Sequence, residues 1–205
     1  GSDIDGEAAG DKSGYTVSLS GDGNRVAIGG RFNDGGGDQA GYIRVFEYNG
    51  ANWIQLGSDI DGEAAGDWFG SSVAIDEDGS HFVAGAARND GGGNNAGHVR
   101  IFEYNGTNWV QVGSDIDGEA ANDRSGEAVS IDSDGDRVAI GAPGNDGSGN
   151  NAGHVRIFEY NGANWVQVGS DIDGETANDI SSELGSIAMD SDGDYVVIGA
   201  YGNDG

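Results

Sequence analysis

The stretch EYNGANW at residues 47–53 returns as EYNGTNW at 103–109 and as EYNGANW at 159–165, so successive copies lie 56 residues apart. An Asn-Gly dipeptide between two strand-like runs is the strongest short signal for a β-hairpin. Self-similarity at a fixed period of this order indicates a repeat architecture. The phrase therefore predicts one hairpin in each unit of a tandem repeat.

A second recurring phrase sets the boundaries of the units. GSDIDGEAAGD and its close variants begin at Gly1, Gly57, Gly113 and Gly169. The period divides the chain into repeats 1–56, 57–112 and 113–168 and a partial repeat 169–205, which carries two extra residues around Ile180–Leu184. We expect all four to form one domain. We also expect the chain to be an excerpt of a longer repetitive polypeptide, with assembly between chains as the alternative.

Each full repeat carries four short strand signals. In the first repeat these are GYTVSLS (14–20), RVAIGG (25–30), GYIRVFEY (41–48) and NWIQLGSDI (52–60). The partial repeat has only the first two. No segment has an apolar period of 3.6 long enough for a helix, so the chain is predicted to be all-β. Four antiparallel strands in a unit of this length are typical of a β-propeller blade, and the chain supplies about 3.7 blades.

The third strand of each repeat supports this assignment. It has apolar residues on both faces, Ile43 and Val45 on one and Tyr42 and Phe46 on the other. A sheet packed between two neighbours needs two such faces, whereas a sheet with one wet face does not. A calcium-binding β-roll would need a nine-residue period, and a β-sandwich would not repeat in this way.

The segment DWFGSSVAIDEDGSHFVAGAARNDGGGNNAGHVRIFEYNGTNW at 67–109 resembles an FG-GAP-type repeat, the blade unit of integrin α-chain propellers. Phe69-Gly70 supplies the FG, and AGAA (84–87) and IGAP (140–143) supply the GAP. Repeats one and three depart from the pattern, with Ser13-Gly14 and Ser125-Gly126. The resemblance implies an extracellular seven-bladed propeller for adhesion or ligand binding.

The composition limits the partners. Thirty-six acidic residues against nine Lys and Arg give a net charge of −27, which repels nucleic acid and anionic lipid. No apolar run approaches the roughly 20 residues that span a membrane, so membrane insertion is not expected. The chain has no cysteine, which excludes disulfides and thiol chemistry. We expect partners among protein or glycan ligands, or further copies of the chain itself.

Candidate metal ligands lie in the hairpins between the first and second strands. Carboxylates at alternate positions beside a glycine can wrap a hard cation in oxygen. The resemblance adds that integrin-like propellers hold calcium in this hairpin with the pattern D-x-D-x-D-G-x-x-D, of which the later Gly and the last Asp are missing here. The candidate Ca²⁺ ligands are Asp132, Asp134, Asp136, Asp190, Asp192 and Asp194. The alternative is a tight Asp-Gly turn whose acids are merely solvated.

Other polar features receive structural interpretations. In the connection DIDGEAAGD we expect Asp11, or its counterpart Asp67, to cap the local backbone. The Gly-rich loops that start at Asn33, Asn89 and Asn145 are expected to be flexible and exposed. His98 and His154, which replace Tyr42, are expected to pack or to lie at the surface rather than to bind a metal. Arg44, Arg100 and Arg156 are expected to pair with acids of the neighbouring blade. Asn105, in NGT, is a possible glycosylation acceptor.

The sequence predicts a protein that is not an enzyme. No nucleophile and base can be assembled, and the departures from the repeat at Lys12, Trp68, Pro143 and Ile180–Leu184 suggest no site. We expect a non-catalytic, extracellular or cell-surface propeller module for adhesion, ligand binding or surface display, with calcium as its one candidate cofactor. The alternative is a structural subunit of an extracellular filament or sheath.

Overall fold

The computed structural model describes residues 1–183 and 185–203; Leu184, at the end of the predicted insertion, and residues 204–205 lie outside the described residues. The described chain is built from strands and turns. The first sheet contains β1 (Thr16–Leu19), β2 (Arg25–Gly30), β3 (Tyr42–Tyr48), β4 (Trp53–Gln55) and β5 (Ile60–Asp61). The second contains β6 (Phe69–Ile75), β7 (His81–Ala86), β8 (His98–Tyr104), β9 (Trp109–Gln111) and β10 (Ile116–Asp117). The third contains β11 (Ala128–Ile131), β12 (Arg137–Ala142), β13 (His154–Tyr160), β14 (Trp165–Gln167) and β15 (Ile172–Asp173), and β16 (Ile187–Met189) pairs with β17 (Val196–Ile198) in the fourth.

Each full sheet is an antiparallel blade, as predicted. In blade one, β1 pairs with β2, β2 with β3, and β3 with both β4 and β5. The predicted fourth strand at 52–60 is therefore split into two short strands along one edge of β3. The second of these, β5, belongs to the second repeat by sequence but completes the sheet of the first. The period of the sequence and the sheet of the blade are thus offset by a few residues.

The EYNGxNW phrase forms the outer hairpin of each blade and also ties it to the preceding blade. The Asn105 Oδ1 atom accepts hydrogen bonds from the backbone N–H groups of Thr107 and Asn108. The rings of Tyr104 and Trp109 lie 5.3 Å apart. The Trp109 Nε1–H group donates to the carbonyl of Leu56 in the preceding repeat at 2.9 Å. Trp165 makes the same bond to Val112 at 2.8 Å, so the phrase links the second and third blades to their predecessors in the same way.

The hydrophobic core lies between the blades. One cluster joins the first two blades through Ile43, Phe69, Phe82 and Phe102, with the Phe82 and Phe102 rings stacked at 5.0 Å. Two further clusters join the second blade to the third and the third to the fourth. Because the second and third sheets each pack against a neighbour on both faces, the apolar residues on both sides of their third strands are explained. The β-propeller assignment is confirmed.

The Phe-Gly pair makes a bulge where one blade meets the next. The register of β6 against β7 shifts between Phe69 and Ser72, and Gly70 has a φ of +83°. Phe69 is fully buried and bridges to Gly41 of the first blade. A Cβ on Gly41 would lie 2.0 Å from the Phe69 carbonyl oxygen, so this approach requires glycine.

The first strand of each blade lies nearest a common axis. β1 packs against β6, β6 against β11, and β11 against β16. These strands run in the same direction along the axis. Their first residues therefore lie at one end of the axis, and the hairpins that follow them lie at the other. We call these the rim end and the hairpin end. Among the described residues, no helix is long and apolar enough to cross a lipid bilayer.

Candidate functional site

The six predicted calcium ligands lie at the hairpin end. The hairpins of four blades line a shared cleft of about 280 Å³ there, with Asp76, Asp132 and Asp190 at equivalent positions. Asp132 is buried at 4 % exposure, whereas Asp134 and Asp136 are exposed. In the third and fourth blades the structure therefore brings Asp132 and Asp190 to the cleft, whereas Asp134, Asp136, Asp192 and Asp194 are exposed to solvent.

The carboxylates at this end already have protein partners. The Asp132 Oδ1 atom accepts from the backbone N–H groups of Asp136 and Arg137 at 3.1 and 3.2 Å. Asp190 Oδ1 accepts from Asp194 and Tyr195 in the same way, both at 2.9 Å. These bonds hold each carboxylate across the turn of its own hairpin, and they use only the Oδ1 atom.

Two further features bear on the electrostatics of the hairpin end. Burial raises the pKa of Asp132, and the neighbouring Asp136 adds to the effect. The Arg137 guanidinium binds Asp194 of the next hairpin at 3.0 Å, which neutralises part of the charge. The predicted calcium sites stay a prediction.

The aspartate before each FG position is a buried structural residue, as expected. Asp67 Oδ2 accepts from the backbone N–H of Ala64 and from the Asn89 side-chain amide, both at 3.0 Å. Asn89 Oδ1 in turn accepts from the N–H of Gly91 at 2.7 Å. The same set recurs around Asp11 and around Asp123. The Gly-rich loops, predicted to be flexible and exposed, are anchored at their first residue, because Asn33, Asn89 and Asn145 are buried.

The arginines of the third strands follow the prediction in part. Arg100 Nη1 lies 3.7 Å from Glu63 in the connection between the first two blades, and Arg156 Nη1 lies 3.7 Å from Glu119 in the next connection. Their shortest bonds go to backbone instead, from Arg100 Nη2 to the Asp61 carbonyl at 2.8 Å and from Arg156 Nη2 to the Asp117 carbonyl at 2.8 Å.

The histidines and the sequon also take defined positions. His98 and His154 are each 1 % exposed, which confirms that they pack. His81, near the hairpin end, has Nδ1 2.9 Å from Asp76 Oδ2, and this contact raises the pKa of the imidazole.

Asn105 lies on an exposed hairpin turn, where glycosylation stays a prediction.

The rim end carries a cluster of arginine and aromatic side chains. The Arg31 guanidinium carbon lies 3.7 Å from the Tyr15 ring centroid and 4.6 Å from that of Trp68. The Arg88 guanidinium lies 3.5 Å from the same indole. Phe32 meets Trp68 edge-on at 5.3 Å. We call Tyr15, Arg31, Phe32, Trp68 and Arg88 the rim cluster.

The register of the strands explains how the rim cluster forms. Thr16 at the start of β1 pairs with Gly29 near the end of β2, so Tyr15 and Arg31 are placed side by side. Trp68 comes from the connection between blades and has a φ of +60°. That left-handed backbone conformation is uncommon for a residue with a large side chain, and it interrupts the extended chain at Trp68. Cation–π contact then fixes both guanidinium groups.

A buried acid lies beside the rim cluster. Glu127 is 8 % exposed and lines, with Tyr15, a cleft of about 410 Å³ between the first strands. Burial raises the pKa of the Glu127 carboxyl, and the positive charges of Arg124, Arg31 and Arg88 oppose that rise. Among the described residues, none of these three guanidinium groups has a carboxylate within 4.0 Å.

The sequence alone did not indicate the rim cluster, although Trp68 was noted as a departure from the repeat. Trp68 stands at the position held by Lys12 and Arg124 in the neighbouring repeats, and Arg31 at the position held by Ala87 and Pro143. The signal was the aromatic and basic character of these departures. Their proximity depends on the pairing of β1 with β2, which a list of asymmetric residues does not contain.

The geometry defines a propeller-type repeat protein, and comparison with known proteins agrees. The family model of the FG-GAP repeat matches residues 60–102 and 115–158. The chain thus contains FG-GAP repeats at these two places, and the resemblance stated from sequence is confirmed.

Solved structures give the same fold. The chain resembles the Kuenenia stuttgartiensis hydrazine synthase at a TM-score of 0.54 and 15 % identity, over 89 % of this chain and 42 % of that one. It also resembles a proposed 6-phosphogluconolactonase from Bacteroides uniformis ATCC 8492 at a TM-score of 0.55 and 13 % identity, over 89 % and 46 %. The chain thus spans less than half the length of these structures, and at such identity the likeness concerns the fold alone. No curated protein matches the sequence.

Proposed function

We propose that the protein is a non-catalytic, extracellular binding module that captures a carboxylate-bearing ligand at the rim cluster. The observation that carries this proposal is a pair of arginines, Arg31 and Arg88, that both contact the Trp68 ring in a chain of net charge −27. Among the described residues, no carboxylate lies within 4.0 Å of either guanidinium group. Arginine binds carboxylates through two parallel hydrogen bonds, so two fixed guanidinium groups suit an acidic ligand.

The surroundings of the rim cluster support a binding role. Five of the nine basic residues are engaged elsewhere: Arg25, Arg100, Arg137 and Arg156 contact acids, and Arg44 donates to the Asp5 carbonyl. Arg31 and Arg88 instead lie on aromatic rings beside an open cleft. The indole of Trp68 is covered by guanidinium groups, so its role is to position charge rather than to stack a sugar ring.

Adhesion or surface display is the biological role that fits such a module best, and calcium would stiffen it from the hairpin end. FG-GAP repeats support an extracellular or surface setting. A ligand at the rim end and cations at the hairpin end would occupy opposite ends of the same inner strands, so neither would block the other.

Calorimetric titration tests this function with three probes: oligogalacturonate, its methyl ester, and poly-glutamate. We expect the acidic sugar or the acidic peptide to bind and the uncharged ester not to bind. R31A/R88A should weaken binding by about 100-fold or more, since each charged hydrogen-bonded contact contributes about 1.5–3 kcal/mol. R137A removes one positive charge at the hairpin end and should leave affinity within about twofold, the scale of salt-screened effects. Failure of both acidic probes, or equal loss in R137A, would refute the proposal.

A structural role in a filament is the second candidate. It is favoured by apolar side chains exposed at both ends of the row of blades: Val17 and Leu19 on β1 are 63 % and 57 % exposed, and Val197 on β17 is 72 % exposed. A contiguous apolar face is typical of an interaction surface. A concentration series by light scattering tests it, with V17D/L19D as the variant. A monomer at every concentration would exclude it.

A further inference from the structure

The packed histidines of the second and third repeats lie among carboxylates at the junctions between blades. Single ligand atoms of Glu63, His98 and Asp115 lie within 4.8 Å of one another, and so do those of Glu119, His154 and Asp171. The histidine comes from the start of the third strand, one acid from the connection before the blade, and one from the turn before its fifth strand. The two groups are related by the 56-residue repeat, so the arrangement forms twice.

Three of the imidazole nitrogens are buried without a hydrogen-bond partner among the described residues. They are Nδ1 and Nε2 of His154, which is 1 % exposed, and Nε2 of His98. His154 Nδ1 lies 3.9 Å from Asp171 Oδ2 and 4.0 Å from Glu119 Oε2. These separations are too long for hydrogen bonds. They are somewhat longer than the roughly 3.4 Å between ligand atoms that share a tetrahedral ion at about 2.0–2.2 Å each, so an ion would draw the two carboxylates inward.

The neighbouring arginine leaves room for a cation. Arg156 is held by the Asp117 carbonyl at 2.8 Å and approaches Oε1 of Glu119, whereas Oε2 of the same carboxylate faces His154. Glu119 can therefore bridge the arginine and an ion. Its side chain is 45 % exposed and that of Asp171 is 32 % exposed, so water reaches the carboxylate side. Burial lowers the pKa of His154, which keeps the imidazole in the neutral form that metals bind.

We propose that Glu63, His98 and Asp115, and likewise Glu119, His154 and Asp171, form two sites for a divalent transition-metal ion at the junctions between blades. One imidazole nitrogen and two carboxylates suit Zn²⁺ and its first-row neighbours, with solvent completing the coordination. Ca²⁺, which takes oxygen ligands, is a poor match. These sites differ from the hairpin aspartates in ligand type and in position.

The first repeat provides a natural control. Tyr42 occupies the place of the histidine, and its hydroxyl accepts a hydrogen bond from Arg44 Nη2 at 3.2 Å. The equivalent acids, Glu7 and Asp59, also lie close together there. A hydrogen bond between them is the largest cause of the raised pKa of Glu7. The fold thus tolerates tyrosine at this position, and only the imidazole is missing from the set.

Zn²⁺ titration by calorimetry, on protein freed of metal with EDTA and held at moderate ionic strength, tests the proposal. We expect two Zn²⁺ ions per wild-type chain, one for each group. H98Y and H154Y should each lose one, and H98Y/H154Y should lose both while its circular dichroism spectrum stays that of the wild type. E119Q/D171N, which retains the histidine, should lose one. Y42H should gain a third site with Glu7 and Asp59.

The contrary results are equally definite. A wild-type chain that binds no Zn²⁺ would overturn the proposal, and so would H98Y/H154Y that binds as many ions as the wild type. A Y42H chain that stays at two would overturn the assigned ligand set. Calcium titrated in parallel should show the same affinity in the wild type and in H98Y/H154Y; a shared loss would place both cations at one site and contradict the assignment.

Discussion

The two ends of the inner strands differ in a way that separates scaffold from function. At the hairpin end the same acidic turn recurs, with Asp76, Asp132 and Asp190 at equivalent positions around one cleft. At the rim end the equivalent positions hold different residues, and Arg31, Trp68 and Arg88 meet at one place. Repetition maintains the links between blades, whereas the departures from repetition create a local surface with charge opposite to the rest of the chain.

The largest expected effect is the loss of a buried cap near the rim. D67A removes the acceptor of Ala64 and leaves the buried Asn89 amide without its partner. Loss of the cap on the Ala64 N–H group and of the buried hydrogen bond to Asn89 should together lower the free energy of unfolding by about 3 kcal/mol. Urea denaturation measures it. D134A, at an exposed position of the hairpin end, should change it by less than about 0.5 kcal/mol; equal effects would erase the contrast between the two sets of acids.

Calcium should act on the hairpin end alone. If Asp132 and Asp190 bind Ca²⁺ through their Oδ2 atoms, a concentration 10 to 100 times the Kd should stabilise the fold by about 1–3 kcal/mol. Thermal unfolding with and without EDTA measures the shift, and D132N/D190N should abolish it. A shift that persists in this variant would place the cation elsewhere, and no shift in the wild type would remove calcium from the account.

A smaller effect is expected from replacing the indole that holds the rim arginines. W68K introduces the side chain that the first repeat has at this position, where Lys12 also has a positive φ. Because it removes two cation–π contacts, it should weaken the acidic ligand by about tenfold, on a scale of about 0.5–1 kcal/mol per contact. Calorimetry measures the affinity. Unchanged binding would show that Trp68 does not position the arginines.

The smallest effect concerns the buried acid of the rim. Burial raises the pKa of Glu127 above its ordinary value of 4.5, so the folded state holds the proton more tightly than the unfolded state. The contribution of this carboxyl group to the free energy of unfolding is full below its pKa in the unfolded state. It is lost as pH rises through its pKa in the folded state. E127Q should therefore gain stability over the wild type as pH rises above 4.5. Denaturation from pH 4 to pH 8, roughly the range in which a buried carboxyl titrates, measures it. A constant difference would contradict the assigned cause.

Much of the fold could be predicted from local patterns. The second strand was predicted at 25–30 and is observed as Arg25–Gly30, because alternation and a tight Gly-Asp turn define it locally. The fourth strand was predicted as one run at 52–60 but is broken after Gln55, since the chain leaves β3 before it pairs again at Ile60. That break depends on tertiary contacts and has no local signal.

The candidate sites were harder to predict for the same reason. Trp68 was noticed as a departure from the repeat, but its contacts with Arg31 and Arg88 come from strand ends in two blades. His98 begins the third strand and Asp115 lies in the turn before the fifth, so the two come together only through the pairing of these strands. The hairpin aspartates were found because their ligand atoms are contiguous in sequence. Patterns within one turn could be recognised, whereas sets assembled across blades could not.

The indole resonances of the protein test the central claim most directly. The chain has four tryptophans, and in the structure only Trp68 lies in the rim cluster, while Trp109 and Trp165 donate to carbonyls between blades. In a ¹H–¹⁵N spectrum titrated with oligogalacturonate or poly-glutamate, the Trp68 indole signal should shift and the other three should stay in place. A ligand that binds while Trp68 remains unmoved would contradict the account.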